Sequence, residues 1–234
     1  MTSQHVLLCL GAFVIAYLCG SIPFGLLVGK LKGIDIRQHG SGNIGATNVG
    51  RVLGRNWGFL VFFLDMGKGF LPVLFFGRMA GDWIAPGTPG RSSIYLMWGG
   101  VAAACILGHL FPVFLRFKGG KGVATSLGAM LGIYPYFVLP GLVAFGLWVV
   151  LTLTTRYVSV GSVGAAAAFP IIFAVFAAIR RDLWGGIAEL WPLYVFGVVL
   201  AVLVIYRHRG NLRRLSQGVE PKIGASTGGS QRPS

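Results

Sequence analysis

A stretch that alternates glycine with polar residues, HGSGNIGATNVGRVLGR at 39–55, has the composition of an anion site. Its uncharged ligand candidates are Ser41, Asn43, Thr47 and Asn48. The glycines let backbone N–H groups approach a ligand closely. Arg51 and Arg55 are spaced i, i+4, so on one continuous helix they would share a face. Because arginine can bind phosphate through two parallel hydrogen bonds, the stretch predicts a phosphate site. The alternative is a solvated loop whose arginines contact lipid headgroups.

The same stretch contains the pattern GxGxxG, formed by Gly40, Gly42 and Gly45, and Asp65 follows further along the chain. In dinucleotide-binding folds this pattern comes directly after a strand, within a βαβ unit. Here it comes after an apolar segment long enough to cross a membrane, and Asp65 lies inside the next such segment. We therefore reject the dinucleotide-binding interpretation.

A second glycine-rich stretch, RFKGGKGVATS at 116–126, combines lysine with Gly119, Gly120 and Gly122. It is not a Walker A motif, because Gly122 follows Lys121 where serine or threonine is required. Its glycines can still expose consecutive N–H groups as an anion nest at the start of a helix, with Lys121 adding a full charge. The alternative is a flexible basic turn on the cytoplasmic side of a membrane.

A third stretch, RHRGNLRRLSQGVEPKIG, begins at Arg207 and is strongly basic. His208 and Asn211 are spaced i, i+3 and are expected to share a helical face. Histidine accepts or passes protons near neutral pH, and asparagine both donates to and accepts from a hydroxyl. For Arg213 and Arg214 we favour a different role, a polybasic anchor for anionic lipid.

Two further sets of polar residues lie close to these stretches. Asp65 and Lys68 are spaced i, i+3 within an apolar segment, where ionisable residues are costly unless paired. We expect them to pair with each other, or with a loop group such as Arg51, and to support the structure. Ser159 stands at the start of a later apolar segment, where its hydroxyl either lines the site or caps the helix.

Composition places the chain among membrane proteins. Of 234 residues, 55% are hydrophobic and 11% are charged, and the mean hydropathy is +0.75. Ordinary soluble domains carry about 25% charged residues. The net charge of +14 could indicate a nucleic-acid partner, but basic residues also collect on the cytoplasmic face of membrane proteins, and we expect no nucleic acid. The 3 cysteines and 4 histidines show no metal-ligand spacing, so we expect neither a metal nor another cofactor.

Seven apolar windows are candidates for membrane crossing, a length of about 20 residues each. They are 6–28, 57–77, 94–115, 123–134, 136–153, 158–179 and 187–206. The fourth is too short to span alone, so 123–153 is either two segments joined by a tight turn or one kinked helix. Seven crossings with the N-terminus outside put most of the 20 lysines and arginines on the inner side, whereas six divide them almost evenly.

These patterns predict an all-α integral membrane protein, a bundle of seven transmembrane helices with the fourth short. Its N-terminus is outside and its C-terminus is cytoplasmic. Residues 1–222 form a single domain, and residues 223–234 form a disordered tail. The three polar stretches then meet on the cytoplasmic face.

Together these stretches resemble the bacterial acyl-phosphate-dependent glycerol-3-phosphate acyltransferases, the PlsY family. The resemblance covers nearly the whole chain. It rests on GSIPFG at 20–25, GSGNIGATNVGR at 40–51, GHLFPVFLRFKGGKGVAT at 108–125 and RHRGNLRRLSQGVEPK at 207–222.

The resemblance implies a multi-pass enzyme of the bacterial cytoplasmic (inner) membrane, with its active site facing the cytoplasm. The enzyme would move a fatty acyl chain from acyl phosphate to the sn-1 hydroxyl of glycerol 3-phosphate, giving lysophosphatidic acid and inorganic phosphate. This is the first acylation step of phospholipid synthesis. Its partners would be these two substrates and membrane lipid, with functional coupling to the enzyme that makes acyl phosphate.

The resemblance also assigns roles to residues. Phosphate binding falls on Ser41, Arg51 and Lys121, with a loop formed by the glycines at 119, 120 and 122 and with Asn43 and Thr47 nearby. His208 and Asn211 match an essential pair, Glu220 matches an acidic residue that supports structure, and Ser159 lies at the site. We expect direct attack by the glycerol hydroxyl without a covalent acyl-enzyme, because the chain offers no convincing triad. The proton acceptor is either His208 or the donor phosphate.

Two other function classes fit parts of the sequence. A transporter of a phosphorylated metabolite would also have basic loops, but it should show internal repeats and polar groups at the bilayer midplane. A polybasic scaffold would leave the glycines and the histidine–asparagine pair unexplained. Thioester-dependent acyl transfer through an HxxxxD pair is disfavoured, because no histidine is followed at that spacing by aspartate.

Overall fold

The computed structural model describes residues 3–81 and 91–223, and within them the chain is helical and contains no strand. The α-helices are α1 Ser3–Ser21, α2 Phe24–Leu31, α3 Ala46–Leu53, α4 Arg55–Met79, α5 Arg91–Leu110, α6 Val123–Gly132, α7 Val138–Thr155, α8 Val158–Ile179, α9 Arg181–Trp184, α10 Ile187–Arg207 and α11 Arg209–Ser216. Short 3-10 helices cover Ile36–Gln38 and Val113–Leu115. The expected disordered tail, apart from its first residue, lies outside the described residues.

Six helical segments in the described part of the chain are long and apolar enough to cross a membrane. They are Leu7–Leu31, Arg55–Met79, Arg91–Leu115, Val138–Thr155, Val158–Ile179 and Ile187–Arg207. Helix α6 is apolar but shorter. The predicted all-α membrane architecture is therefore present. The stretch 123–153 forms two helices, α6 and α7, on either side of a turn that contains a cis Tyr134–Pro135 bond.

The first apolar segment is interrupted between α1 and α2, because Pro23 has no N–H to continue the helical hydrogen bonding. The break leaves the carbonyl of Ile22 without a regular helical partner. The Lys68 ammonium, which comes from α4, donates to this carbonyl over 2.7 Å. A buried lysine thus satisfies a backbone group that the helix break exposes.

Glycine allows two pairs of helices to pack backbone against backbone. A Cβ on Gly20 would lie 2.0 Å from the Cys105 carbonyl oxygen, so α1 and α5 touch directly. A Cβ on Gly128 would lie 1.9 Å from the Met66 carbonyl oxygen, so α6 and α4 touch in the same way. Small residues at helix contacts are the usual means of close packing in membranes. The 37 glycines of the chain therefore serve packing as well as the polar loops.

The remaining helices complete the bundle around an apolar core. Helix α5 contacts α1, α4 and α10, while α8 lies between α7 and α10. At the centre, Phe137, Phe169 and Phe173 are buried and meet edge-to-face or stacked, with ring centroids 4.8 to 6.3 Å apart. Near the end where α5 begins, Arg91 pairs with Glu189 and donates to the Tyr136 hydroxyl. Among the described residues, the buried carboxylates Asp65 and Glu220 lie at the opposite end, beside the polar loops.

We expect Gly128→Ala to destabilise the protein by about 1–3 kcal/mol, because the new methyl group overlaps backbone that cannot move aside easily. Gly67→Ala is the matched control in α4, since a Cβ there meets nothing within 4 Å. The control should be neutral or up to about 1 kcal/mol more stable. Thermal unfolding in detergent checks both, and equal melting temperatures would contradict close packing of α4 on α6.

Candidate active site

The polar stretches meet in a cavity of about 140 Å³ at one end of the bundle. Its lining includes most of the residues that the sequence singled out: Ser41, Asn43, Thr47, Arg51, Asp65, Lys121, Gly122, Ser159, His208, Asn211 and Glu220. These side chains come from the loop before α3, from α3 itself, from α4, from the loop before α6, from the start of α8 and from the segment after α10. The bundle therefore brings together segments that are far apart in sequence.

Three helices point their N-termini into this cavity. Gly45 and Ala46 begin α3, Gly122 and Val123 begin α6, and Val158 and Ser159 begin α8, and all of them line it. None of the three starts is capped by a side-chain hydrogen bond. The first N–H groups of a helix lack intrahelical partners and carry a partial positive charge. Their convergence makes the cavity favourable for an anion.

Asn48 holds the first glycine-rich loop in shape. Its amide donates to the carbonyls of Ile36 and His39, and its side-chain oxygen accepts from the Ser41 N–H over 2.8 Å. A Cβ on Gly40 would lie 2.3 Å from that oxygen, and Gly40 has φ +60, so glycine is needed there. Asn48 is itself buried, and it fixes the backbone from which Ser41 faces the cavity. The sequence suggested Asn48 as a ligand, whereas in the structure it organises the loop.

The second glycine-rich loop differs from the predicted anion nest. The N–H groups of Gly119 and Gly120 donate to the carbonyls of Leu110 and His109, so they are already bonded. Neither glycine lines the cavity, whereas Lys121 and Gly122 do. The first two glycines instead allow the loop to pack closely against the end of α5. A Cβ on Gly120 would overlap the His109 ring there. Anion binding at this loop therefore depends on Lys121 and the start of α6.

A chain of hydrogen bonds joins Lys121 to the segment after α10. The Lys121 ammonium donates to the Asn211 side-chain oxygen, and the Asn211 amide donates to Glu220 over 2.6 Å. Burial lowers the pKa of Lys121 to about 8, and the Arg214, Arg207 and Arg51 charges act in the same direction against the opposing effect of Glu220. The Asn211 amide is therefore held in one orientation by a donor on one side and an acceptor on the other.

His208 occupies the junction between α10 and α11 and is 2% exposed. Its Nδ1 lies 2.8 Å from the Val204 carbonyl oxygen. Because a carbonyl oxygen only accepts, Nδ1 carries a hydrogen, and in the neutral ring Nε2 keeps its lone pair. Burial lowers the pKa of His208, and the nearby Lys121 charge adds to this, so the ring is neutral at pH 7. His208 can thus accept a hydrogen bond from a ligand hydroxyl.

Glu220 connects two helices, α8 and α11, beside the cavity. Its carboxylate accepts from Ser159 at the start of α8, from Asn211 in α11 and from Arg214 Nε, the last over 2.8 Å. Arg214 therefore pairs with a buried carboxylate and lines the cavity, which is not the lipid anchor that its basic neighbourhood suggested. Ser159 both lines the cavity and donates to Glu220.

The expected shared face of Arg51 and Arg55 is wrong. Gly54, with φ +100, ends α3 and separates it from α4, so the two arginines belong to different helices. Arg51 lines the cavity, and within the described residues it makes no ion pair. Arg55 is exposed, and its guanidinium lies over the Phe59 ring at 5.1 Å. Arg51 is therefore available to an anion in the cavity, while Arg55 lies outside it.

Asp65 and Lys68 form the buried pair that their spacing indicated, with 2.7 Å between the ammonium nitrogen and a carboxylate oxygen. His109 Nδ1 lies 3.7 Å from the same oxygen. Asp65 and His109 line the deep side of the cavity, next to the glycine-rich loop. The pair thus joins the break between α1 and α2 to the floor of the site.

An apolar groove continues from the cavity into the bundle. Four residues line both spaces: Phe62, Val123, Trp148 and Ser162. Apart from Ser126, the rest of the groove is lined by apolar residues and glycines of α6, α7, α8 and α10. A molecule with a charged head and a hydrocarbon tail would therefore meet a matching environment at each end. Sequence patterns did not reveal the groove, because its walls look like any other membrane helix.

No group of three or more histidine, cysteine, aspartate or glutamate side chains stands ready to hold a metal ion in the described ranges 3–81 and 91–223. The charge that faces the cavity comes instead from Arg51, Lys121 and Arg214. Two carboxylates, Asp65 and Glu220, also line it, and each already pairs with a basic residue. Arg51 and Lys121 therefore supply the charge that a bound anion would meet.

The chain is similar to known proteins over most of its length. Residues 10–218 match the family model described as Glycerol-3-phosphate acyltransferase. The curated protein of that name from Geobacter sulfurreducens is 44% identical over 90% of this chain and 95% of its own length. The one from Aquifex aeolicus is 42% identical over 90% of this chain and 96% of its own length.

Two solved structures are also similar. Both are crystal structures of PlsY (YgiH), an integral membrane glycerol 3-phosphate acyltransferase. Its glycerol 3-phosphate form superposes with a TM-score of 0.76 at 39% identity, over 92% of this chain and 96% of that one. Its lysophosphatidic acid form gives 0.75 at 38% identity, over 92% and 95%. The resemblance inferred from the motifs is confirmed, and the chain belongs to the glycerol-3-phosphate acyltransferase family.

Proposed function

We propose that this membrane enzyme transfers a fatty acyl chain from acyl phosphate to the sn-1 hydroxyl of glycerol 3-phosphate. The products are lysophosphatidic acid and inorganic phosphate. The family fixes the acyltransferase activity, and the two relatives and the two PlsY structures carry glycerol 3-phosphate in their names. Acyl phosphate as the donor is our inference from the motifs and from the cavity described above.

The observation that carries this proposal is the junction between the cationic cavity and the apolar groove. Both proposed substrates bear phosphate, and only the donor bears a long hydrocarbon chain. The cavity offers Arg51, Lys121 and three helix N-termini to the phosphates, and the groove offers hydrocarbon walls to the chain. The donor carbonyl, which joins phosphate to chain, would then lie where the two spaces meet.

In the reaction, the glycerol hydroxyl oxygen attacks the donor carbonyl carbon. The new ester C–O bond forms, the C–O bond to phosphate breaks, and phosphate leaves with its bonding electrons. An acyl phosphate is a mixed anhydride with a good leaving group, so no covalent acyl-enzyme is needed. Catalysis then consists mainly of holding the two reactants together and stabilising charge on the phosphate oxygens.

His208 orients the attacking hydroxyl by accepting its hydrogen bond at Nε2. Because burial lowers the pKa of His208, the ring is a poor final acceptor of a proton. We therefore propose that the hydroxyl proton is transferred to an oxygen of the departing phosphate, whose basicity grows as the C–O bond breaks. Asn211, fixed between Lys121 and Glu220, keeps the ammonium aimed into the cavity.

The phosphate groups are held by Lys121, Arg51 and Ser41, with Gly122 and the start of α6 supplying backbone N–H groups. Asn43 accepts from the Gly45 N–H over 2.8 Å and so shapes the entrance to α3, and Thr47 lines the cavity in the first turn of that helix. Other side chains hold these groups in position through hydrogen bonds and ion pairs: Ser159, Glu220, Asp65 and Lys68. Neither a metal nor a further cofactor takes part in this scheme.

The membrane arrangement belongs to the same proposal. Six long apolar helices with α6 as a short seventh, an outside N-terminus and a cytoplasmic C-terminus agree with the distribution of basic residues. The cavity would then face the cytoplasm of a bacterial inner membrane, where glycerol 3-phosphate is soluble. Residues 1–222 act as one domain, and the enzyme that makes acyl phosphate is the expected functional neighbour.

The test is turnover by purified protein in detergent, with acyl phosphate and glycerol 3-phosphate and with divalent metal removed. We expect phosphate and lysophosphatidic acid in equal amounts. Acyl-CoA serves as a parallel donor. Product from acyl-CoA alone would replace the donor we propose, and no product from either donor in a folded sample would favour a transporter, tested by uptake into proteoliposomes.

We expect Lys121→Ala to lower kcat/KM by about a hundredfold or more, because the half-buried ammonium would contact the reacting phosphate. Lys118→Ala is the matched control, since Lys118 belongs to the same loop but is exposed and does not line the cavity. The control should keep normal turnover. Similar losses in both variants would mean that the loop acts only through its overall charge.

The activity should depend on pH through Lys121. A lysine that must be charged supports catalysis below its pKa and loses this role above it, so kcat/KM should fall as pH rises through about 8. Lys121→Arg should retain part of the activity and move this fall to higher pH, because arginine stays protonated. The measurement is the pH profile of both proteins. A wild-type profile that is flat well above pH 8 would remove Lys121 from the reaction.

The proposed orientation can be measured with a thiol reagent that does not cross membranes. We expect Arg180→Cys to react in intact cells and Lys32→Cys to react only after lysis, because the two exposed residues lie on opposite sides. The unsubstituted protein is the control for its own cysteines, of which Cys9 and Cys105 are buried. The reverse labelling pattern would invert the proposed topology.

A further inference from the structure

The length of the apolar groove follows from its lining residues, which span eight positions on each of four helices. Apart from Phe62 of α4, its walls come from residues 123–130 of α6, 141–148 of α7, 162–169 of α8 and 197–204 of α10. Each interval advances about 10 Å at a rise of about 1.5 Å per residue. In each helix one end of the interval lies beside the cavity and the other lies deep in the bundle. The groove is therefore about two helical turns deep.

The deep end of the groove is closed by an aromatic cluster. Phe169 is 3% exposed, and its ring lies with its centroid 5.0 Å from Phe137 and 6.3 Å from Phe173. The same ring packs on the backbone of α10, because a Cβ on Gly197 would lie 3.0 Å from it. This packing leaves no space beyond Phe169 for a chain that continues straight inward.

One wall near the closed end is formed by a glycine. Gly141 lines the groove in α7, and a Cβ there would meet only the tips of the Leu131 and Met130 side chains, both at 3.8 Å. A larger side chain at 141 would therefore project into the groove without striking the backbone. Gly146, on the same helix, is exposed, and a Cβ there meets nothing within 4 Å.

We infer that Phe169 and Gly141 together set how much of the acyl chain the enzyme encloses, and so determine its dependence on donor chain length. This inference rests on the proposed function. Each enclosed methylene group leaves water or detergent for an apolar wall, and beyond Phe169 further methylene groups gain nothing from the protein. An extended chain advances about 3.5 Å per three bonds, so the groove holds about eight methylene groups.

The test is a series of acyl phosphates from hexanoyl to palmitoyl, with kcat/KM measured in one detergent. For the wild-type protein we expect a rise of up to about fourfold per methylene group, which then flattens once the chain reaches Phe169. In Gly141→Leu the rise should flatten earlier, which lowers the palmitoyl-to-hexanoyl ratio by about tenfold or more. Gly146→Leu is the matched control and should follow the wild type.

A second variant keeps the test decisive if Gly141→Leu fails to fold. Phe169→Leu replaces the flat ring with a smaller side chain, opens the floor and should move the flattening to longer chains. A melting temperature in detergent close to that of the wild type shows that each variant is folded. Identical chain-length profiles for the wild type, Gly141→Leu and Phe169→Leu would overturn the inference, as would a rise that continues unchanged to palmitoyl.

A wrong assignment of the donor can be distinguished from a wrong assignment of the groove. If the wild-type protein uses no acyl phosphate of any length, the donor is wrong. The same variants are then compared by displacement of a fluorescent fatty acid with fatty acids of increasing length. A displacement series that flattens earlier in Gly141→Leu than in Gly146→Leu would support the groove assignment on its own, and one that does not differ would overturn it.

Discussion

The arrangement of the site depends on the hydrogen bonds that the Glu220 carboxylate accepts. It is 9% exposed and accepts hydrogen bonds from Ser159 of α8 and from Asn211 and Arg214 of α11. A buried carboxylate without such donors would be strongly unfavourable, so its position and that of its donors determine one another. Through Asn211 the same network reaches Lys121 in a loop nearly a hundred residues earlier in the chain. Glu220 itself need not touch a substrate to govern where the ammonium lies.

The helices around this network contribute uncapped N-termini to the cavity. Three helices begin at the cavity without a side-chain cap, so their free N–H groups remain directed at whatever occupies it. Beside these N–H groups, Lys121 and Arg51 line the cavity, where their charges are available to a ligand. The polar end of the bundle thus offers a bound anion both free N–H groups and positive charge.

Much of this arrangement could be predicted from the sequence, because it follows from composition and local spacing. Apolar length predicted the helices, and the run of motif residues predicted most of the cavity lining. The i, i+3 spacing of Asp65 and Lys68 predicted their ion pair. What failed depended on backbone geometry that single residues control. Gly54 at φ +100 separates two arginines that a continuous helix would have aligned.

Other features depended on contacts between distant segments. The N–H groups of Gly119 and Gly120 are bonded to carbonyls at the end of α5, which no local pattern reveals. Arg214 reaches Glu220 because the chain reverses after α11 at Gly218, with φ +72. The apolar groove exists only once α6, α7, α8 and α10 are packed together.

The shared wall between cavity and groove also bears on the fate of the product. Phe62, Val123, Trp148 and Ser162 mark a boundary between a water-like and an oil-like compartment inside one protein. A lysophospholipid has the same division as the donor that precedes it, so it fits the two compartments as well as the donor does. Chemistry alone does not expel such a product. Its departure is a partitioning step between protein and bilayer, and the lipid composition of the surrounding leaflet becomes a determinant of turnover.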